Sequence, residues 1–148
     1  MDSSDTLNTL LVSWKGSRLV FNDSIAPVHR AGQAMLWEDS HSIDGNLLLE
    51  AAPGHTPGSS VLTLRSGTDH AVLVGDMLHS PVQVLDPAWN SCFCDDPRRA
   101  ATTRASFLSR AAEQRELVIP GHWPGHGAAE GRDGDGFAVA AWAAFPRG

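Results

Sequence analysis

At 148 residues, 42% of them hydrophobic, the chain is the size of one domain and too apolar for global disorder. Its 11 basic residues against 17 acidic ones leave a net charge of −6, which argues against a nucleic-acid footprint or an anionic membrane surface. No apolar run approaches the length of a membrane span, and the acidic start M-D-S-S-D is wrong for a signal peptide, so a soluble cytoplasmic protein is expected.

In chain order, residues 1–20 are expected to be poorly ordered or to form a short hairpin. Its strands would be Thr9–Val12 and Arg18–Phe21, with Gly16 in the turn. Asn22-Asp23-Ser24 can cap a helix from Ile25, with Pro27 tolerated in its first turn. Val28, Ala31, Met35 and Leu36 extend helix-like spacing toward Trp37, weakened by Gly32. Asn46–Ala51 is a short apolar strand. Ser60–Leu64 and Ala71–Val74 form a hairpin about the turn Ser66-Gly67-Thr68-Asp69. Met77–Asp96 is irregular, and loops of that length are usually functional. Asp95 or Asp96 then caps a helix with Pro97 in its first turn and an end near Arg115; Ala101, Phe107, Leu108 and Ala111 are its candidate buried positions. Leu117–Ile119 is a buried strand, Gly125–Gly136 a glycine-rich loop, and Phe137–Phe145 a last strand. No linker divides the chain, so residues 1–148 are expected to form a single domain.

The most informative stretch is Pro53 to Gly58, P-G-H-T-P-G. Pro53 and Pro57 fix φ and remove backbone donors, while Gly54 and Gly58 permit turns that other residues resist. A histidine on such a bend points where the loop aims it, which suits a metal ligand better than core packing. Two partners follow. Asp76 ends the apolar run A-V-L-V-G-D, and His122 ends E-L-V-I-P-G-H. Two imidazoles and one carboxylate suit zinc and similar divalent ions. Each follows a short strand, so all three can reach one edge of a sheet, where α/β proteins commonly build sites. Cys92 and Cys94, one residue apart, make a poor disulfide and do not match a structural zinc pair, so two reduced thiols beside a loop are expected. His126 is expected to be exposed, and Trp89, Phe93 and Trp123 either line an apolar pocket or anchor core and loops.

Taken in order, G-H-T-P-G at Gly54–Gly58, G-D at Gly75–Asp76 and P-G-H at Pro120–His122 resemble the metallo-β-lactamase family. F-N-D-S-I-A-P-V at Phe21–Val28, G-D-M-L-H-S-P-V-Q at Gly75–Gln83 and C-D-D-P-R-R-A at Cys94–Ala100 are similar to the branch containing methyl parathion hydrolases and some N-acyl-homoserine lactonases. The resemblance implies an α/β fold, the C-terminal half of an αββα sandwich, with one mixed or antiparallel sheet and flanking helices. It implies that His55 binds one metal, that Asp76 bridges two, and that His122 binds the other. His79, three residues after Asp76, stands where related lactonases can hold a tyrosine near the substrate. A histidine there can donate to a developing oxyanion or bind substrate, or simply pack the loop.

The family's H-x-H-x-D-H run is absent from this sequence; His29, His41, His70, His79 and His126 do not fall at that spacing. Three of the family's seven ligands are thus present. The resemblance implies hydrolysis of an ester, lactone or phosphotriester by a metal-bound hydroxide, with zinc the expected ion: two in complete members, zero or one here. The missing ligands would have to come from a complementing N-terminal half, since a homodimer covers a bare sheet face without restoring them. The alternatives are a non-catalytic remnant with at most one weakly held metal, and a module whose apolar face docks a partner protein.

Overall fold

The computed structural model describes residues 17–123, 127–131 and 137–141. They fall into two compact units that divide between Glu38 and Asp39. In the first, Ser17–Val20 (α1) leads into a π-helical turn, Phe21–Ile25, and then Ala26–Arg30 (α2). The expected strand Arg18–Phe21 is therefore helical, and its partner Thr9–Val12 lies outside the described residues. The physical reason is that a lone two-stranded hairpin is marginal, whereas a helical turn satisfies its backbone locally. Pro27 does stand in the first turn of α2, but no side chain caps it, because Asn22-Asp23-Ser24 lie inside the π turn. The helix stops at Arg30 and not near Trp37; Gly32 follows at φ +69°.

The second unit is built on a seven-stranded sheet whose strands lie in sequence order: Ser40–Ser42 (β1), Leu47–Ala51 (β2), Ser60–Ser66 (β3), Asp69–Gly75 (β4), Leu117–Pro120 (β5), Gly127–Gly131 (β6) and Phe137–Ala141 (β7). Only β4 and β5 pair parallel, so the sheet is mixed. That crossover carries a short helix, Val82–Leu85 (α3), and a long one, Pro97–Gln114 (α4). The glycine-rich stretch expected to be a loop contributes β6, paired with β7 from Gly127↔Ala141 to Gly131↔Phe137. The residues expected to form the last strand supply its partner, β7. Position 126, expected to be exposed, is outside the described residues, as are 142–145 of the last expected strand.

Strand alternation sorts the sheet into two apolar faces. On one, Val61, Val72, Val74 and Val118 are buried with Leu108 and Ala111 of α4. On the other, the register aligns Leu47, Leu64, Ala71 and Leu117 in one row and Leu49, Leu62, Leu73 and Ile119 in the next. Leu64 and Leu73 there are 37% and 40% exposed. Sheets that are apolar on both faces are built to be covered twice.

Helix α4 begins as its sequence predicts. Asp96 is the N-cap, accepting from the Arg99 N–H at 3.0 Å, and Pro97 opens the helix. It ends at Arg115, which is left-handed at φ 55°. Its buried stripe is Ala100, Arg104, Leu108 and Ala111, so Ala101 is one position off the core-facing line and Phe107 is only partly buried. The 53–58 bend rests on the first turns of this helix. Asp96 N–H donates to the Gly54 carbonyl (3.0 Å), Asp95 N–H to the His55 carbonyl (2.9 Å), and Thr103 Oγ1 to the Pro53 carbonyl (2.7 Å). Gly54, at φ +142°, lies so close that a Cβ would stand 2.4 Å from Ala100 Cα and N.

Gly54→Ala is therefore expected to destabilise the chain by on the order of 3 kcal/mol, combining backbone strain with a clash against main chain. Gly45→Ala, where a Cβ meets nothing within 4 Å, is the control. Thermal unfolding reads the difference, and equal melting temperatures for the two variants would contradict the close-packing account.

Candidate metal centre

Strand direction brings the three candidate ligands to one edge. β2 is antiparallel to β3, β3 to β4, and β4 is parallel to β5, so β2, β4 and β5 all run the same way. His55, Asp76 and His122 each follow the C-terminal end of one of them. Gly75, at φ +49°, turns the chain out of β4, and its carbonyl accepts the Gly121 N–H at 3.3 Å. A Cβ on Gly121 would sit 3.5 Å from Gly75 Cα, in ordinary contact, so the loops carrying Asp76 and His122 lie side by side.

Asp76 stands between the two imidazoles and offers one oxygen to each. Oδ2 is 3.5 Å from His55 Nε2, and Oδ1 is 2.7 Å from His122 Nε2. The His55 side chain is 15% exposed, that of Asp76 46% and that of His122 62%, so the cluster opens outward from a buried base. His79 joins it: its ring centroid is 4.7 Å from that of His55 and 6.3 Å from that of His122. His55, Asp76 and His79 each present a ligand atom, all within 4.8 Å of one another. Burial lowers the His79 pKa below the ordinary imidazole value, and His55 adds to that; Asp76 works in the opposite direction. A pocket of about 370 Å³ adjoins the cluster, lined by His55, Asp76, Thr56, Ser60, Val74 and Met77 among others. The donors fit a divalent cation: imidazole nitrogens and a carboxylate converge, and His79 Nδ1 is buried with no hydrogen-bond partner among the described residues.

Three contributors escape sequence reasoning because their contacts are set by loop packing and not by spacing. Cys92 and Cys94 are both free, as expected, but Cys94 Sγ lies 3.8 Å from His55 Nδ1, on the side of the ring away from Asp76. Gln83, almost fully buried, accepts the N–H groups of His79 (2.7 Å) and Ser80 (3.1 Å) through Oε1 and donates from Nε2 to the Trp89 carbonyl (3.0 Å). Arg104, also buried, donates from Nε to the Met77 carbonyl (2.9 Å) and from Nη1 to the carbonyls of Pro87 (2.6 Å) and Trp89 (2.8 Å). Burial lowers the pKa of its guanidinium, which nevertheless stays charged. Of the aromatic residues, Trp123 is buried in the core, whereas Trp89 and Phe93 are 59% and 70% exposed.

The metallo-beta-lactamase superfamily model matches residues 6–122, and the chain belongs to that superfamily. A search of curated proteins finds no match. Among solved structures, the hydrolase AbOPH of the beta-lactamase superfamily is similar at a TM-score of 0.75 and 22% identity, over 98% of this chain and 49% of that one. AidC, a dizinc quorum-quenching lactonase seen with a product, gives 0.65 at 21% identity, over 85% of this chain and 48% of that one. A probable metal-dependent hydrolase from Staphylococcus aureus gives 0.66 at 19% identity, over 78% and 42%. The chain thus spans about half the length of these structures or less, and the likeness at such identities is one of fold.

Arg104→Met should free the loop that follows Asp76, because the Met77 and Pro87 carbonyls lose this donor and the Trp89 carbonyl keeps only Gln83. The expected cost is about 3 kcal/mol. Chymotrypsin should then cut near Trp89 and Phe93 faster than in the parent chain; unchanged cleavage there would show that the guanidinium is not what orders the loop.

Proposed function

We propose that this chain carries part of a metal-dependent hydrolase centre, in which His55, Asp76 and His122 hold a divalent cation of the zinc type. The observation that carries this reading is Asp76 set between two imidazoles, one per carboxylate oxygen, at the edge where β2, β4 and β5 end. A divalent ion there supplies Lewis acidity toward a carbonyl or phosphoryl oxygen and acidifies water, which suits esters, lactones and phosphotriesters. The chain's own residues do the positioning. Cys94 at Nδ1 of His55 leaves Nε2 directed at Asp76, and a ligating imidazole is generally held this way through its other nitrogen. The pocket beside the cluster gives a small substrate a place to lie. Full hydrolysis requires further donors, because H-x-H-x-D-H is not among the 148 residues. In this reading residues 1–148 act as one partial domain, and a complementing N-terminal half supplies the rest.

Asp76→Ala should lose most bound zinc, since Asp76 is the one anionic ligand of the set. Elemental analysis after dialysis against a weak chelator measures it; unchanged zinc stoichiometry in the variant would refute the assignment.

A second reading, a surface that docks another chain, is favoured by the half-exposed leucine rows on the sheet face opposite α4. Light scattering should then find the purified chain associated, and Leu73→Asp should make it monomeric. A monomeric parent chain would count against self-association.

A further inference from the structure

The pocket beside the donor cluster joins buried apolar side chains to a more exposed polar set. Ala52, Val74 and Met77 line it from below and also belong to the hydrophobic core, at 3%, 1% and 5% exposure. Thr56, Ser59 and Ser60 line it nearer solvent, and His55 and Asp76 complete the wall. We propose that this is the specificity pocket of the metal centre: it takes a compact, uncharged apolar group carried beside the reacting carbonyl or phosphoryl, and Ala52 sets its depth. It rests on the reading that His55 and Asp76 serve a metal centre, and goes beyond it in naming what a substrate must carry besides its reacting group.

Size limits the occupant. At about 370 Å³ the pocket lies near the lower end of the range for ligand sites. Val74 and Met77 are packed into the core behind it, and a close-packed interior does not yield to a longer group. An apolar group that enters continues the core and leaves water on the same terms as a core side chain. Ala52 is the smallest side chain of the three, so the space in front of it is the depth available.

The hydroxyls do not ask for a polar occupant. Ser59 Oγ accepts the Thr56 N–H (3.0 Å) and pairs with Thr56 Oγ1 (2.9 Å), and Ser60 Oγ donates to the Gly58 carbonyl (3.1 Å). They are engaged in shaping the 53–58 bend. The Ala52 N–H donates to the Ser59 carbonyl (2.8 Å) and the Gly54 N–H to the Thr56 carbonyl (3.0 Å), so backbone bonds join the polar wall to the apolar one before any ligand arrives. Charge excludes a further class. None of the nine lining residues is Lys or Arg. A substrate arm ending in a carboxylate would be desolvated there with no cation to meet it, beside the carboxylate of Asp76. An ester, lactone or phosphotriester with a short neutral arm fits; one with an anionic arm does not.

The full chain, methyl-labelled at alanine, valine and methionine and supplied with zinc, tests this by titration with three hydroxamates. Acetohydroxamate carries a minimal arm, butyrohydroxamate a neutral propyl arm, and the monohydroxamate of succinate an arm ending in a carboxylate. Butyrohydroxamate should bind about tenfold more tightly than acetohydroxamate, the gain expected of two further buried methylenes, and should shift the Val74 and Met77 methyl signals. The succinate compound should show neither the gain nor the shifts. Ala52→Leu should bring the ratio of the first two affinities near one; if circular dichroism shows that variant unfolded, Ser60→Leu should do the same from the polar wall. Equal affinities in the zinc-loaded parent chain, unmoved Val74 and Met77 signals, a succinate compound bound as tightly as the butyryl one, or an unchanged ratio in a folded variant would each overturn the pocket assignment and leave the metal reading standing. No zinc uptake by the parent chain would overturn the metal reading and this assignment with it.

Discussion

The contact on which the site depends is the meeting of Gly54 with the start of α4. The residue carries no side chain because Ala100 occupies the space where one would begin. That approach lets the carbonyls of Pro53, Gly54 and His55 take donors from Thr103, Asp96 and Asp95. His55 is thereby aimed by the end of a helix and not by its own loop alone. The same helix N-terminus follows directly on Cys94, which meets the far side of the His55 ring. One element thus fixes both the backbone and the orientation of the imidazole.

A second tether runs beneath the loop that follows Asp76. Arg104 projects from the buried face of α4 and gathers three carbonyls, and Gln83 gathers two N–H groups and shares one of those carbonyls. A charged group in a protein interior is tolerable only when its donors are met. Here the demand is answered by irregular backbone, which itself needs donors because it belongs to no sheet or helix. Charge burial and loop order satisfy each other. The result is a long connection that keeps His79 within reach of His55 although little regular structure supports it.

Much of this was legible in the sequence because it rests on local chemistry. The apolar runs before His55, Asp76 and His122 are strands, and each ligand follows a strand end as its glycine or proline neighbours suggest. Asp96 and Pro97 announce α4 by capping rules that act within one turn. What local pattern could not carry was pairing between distant segments. Gly127–Gly131 looks like a loop until Phe137–Ala141 lies beside it. Arg18–Phe21 looks like half a hairpin yet takes up helical turns. The Cys94–His55 and Arg104–Met77 contacts span 39 and 27 residues, and no motif of a few residues encodes them. The stripe of α4 runs through Ala100 and not Ala101, because alanine reports burial weakly when Arg104 is itself the buried residue.

The two apolar faces and the donor set are linked by one geometric fact. A sheet edge that gathers ligands from the ends of β2, β4 and β5 presents them from one side of the ion only, the side on which their strands lie. Donors from the other side must come from whatever covers the rows of Leu47, Leu49, Leu62, Leu64 and Leu73, or from a loop that folds back over the edge. His79 is on such a loop, three residues beyond Asp76, with its backbone N–H held by Gln83. The hydrophobic demand of the sheet and the coordination demand of an ion therefore differ in what can answer them. A covering layer is needed to bury leucines at roughly 25 cal/mol per Å² of apolar surface. Donor placement answers instead to single contacts, such as those that Gln83 and Cys94 make around the cluster.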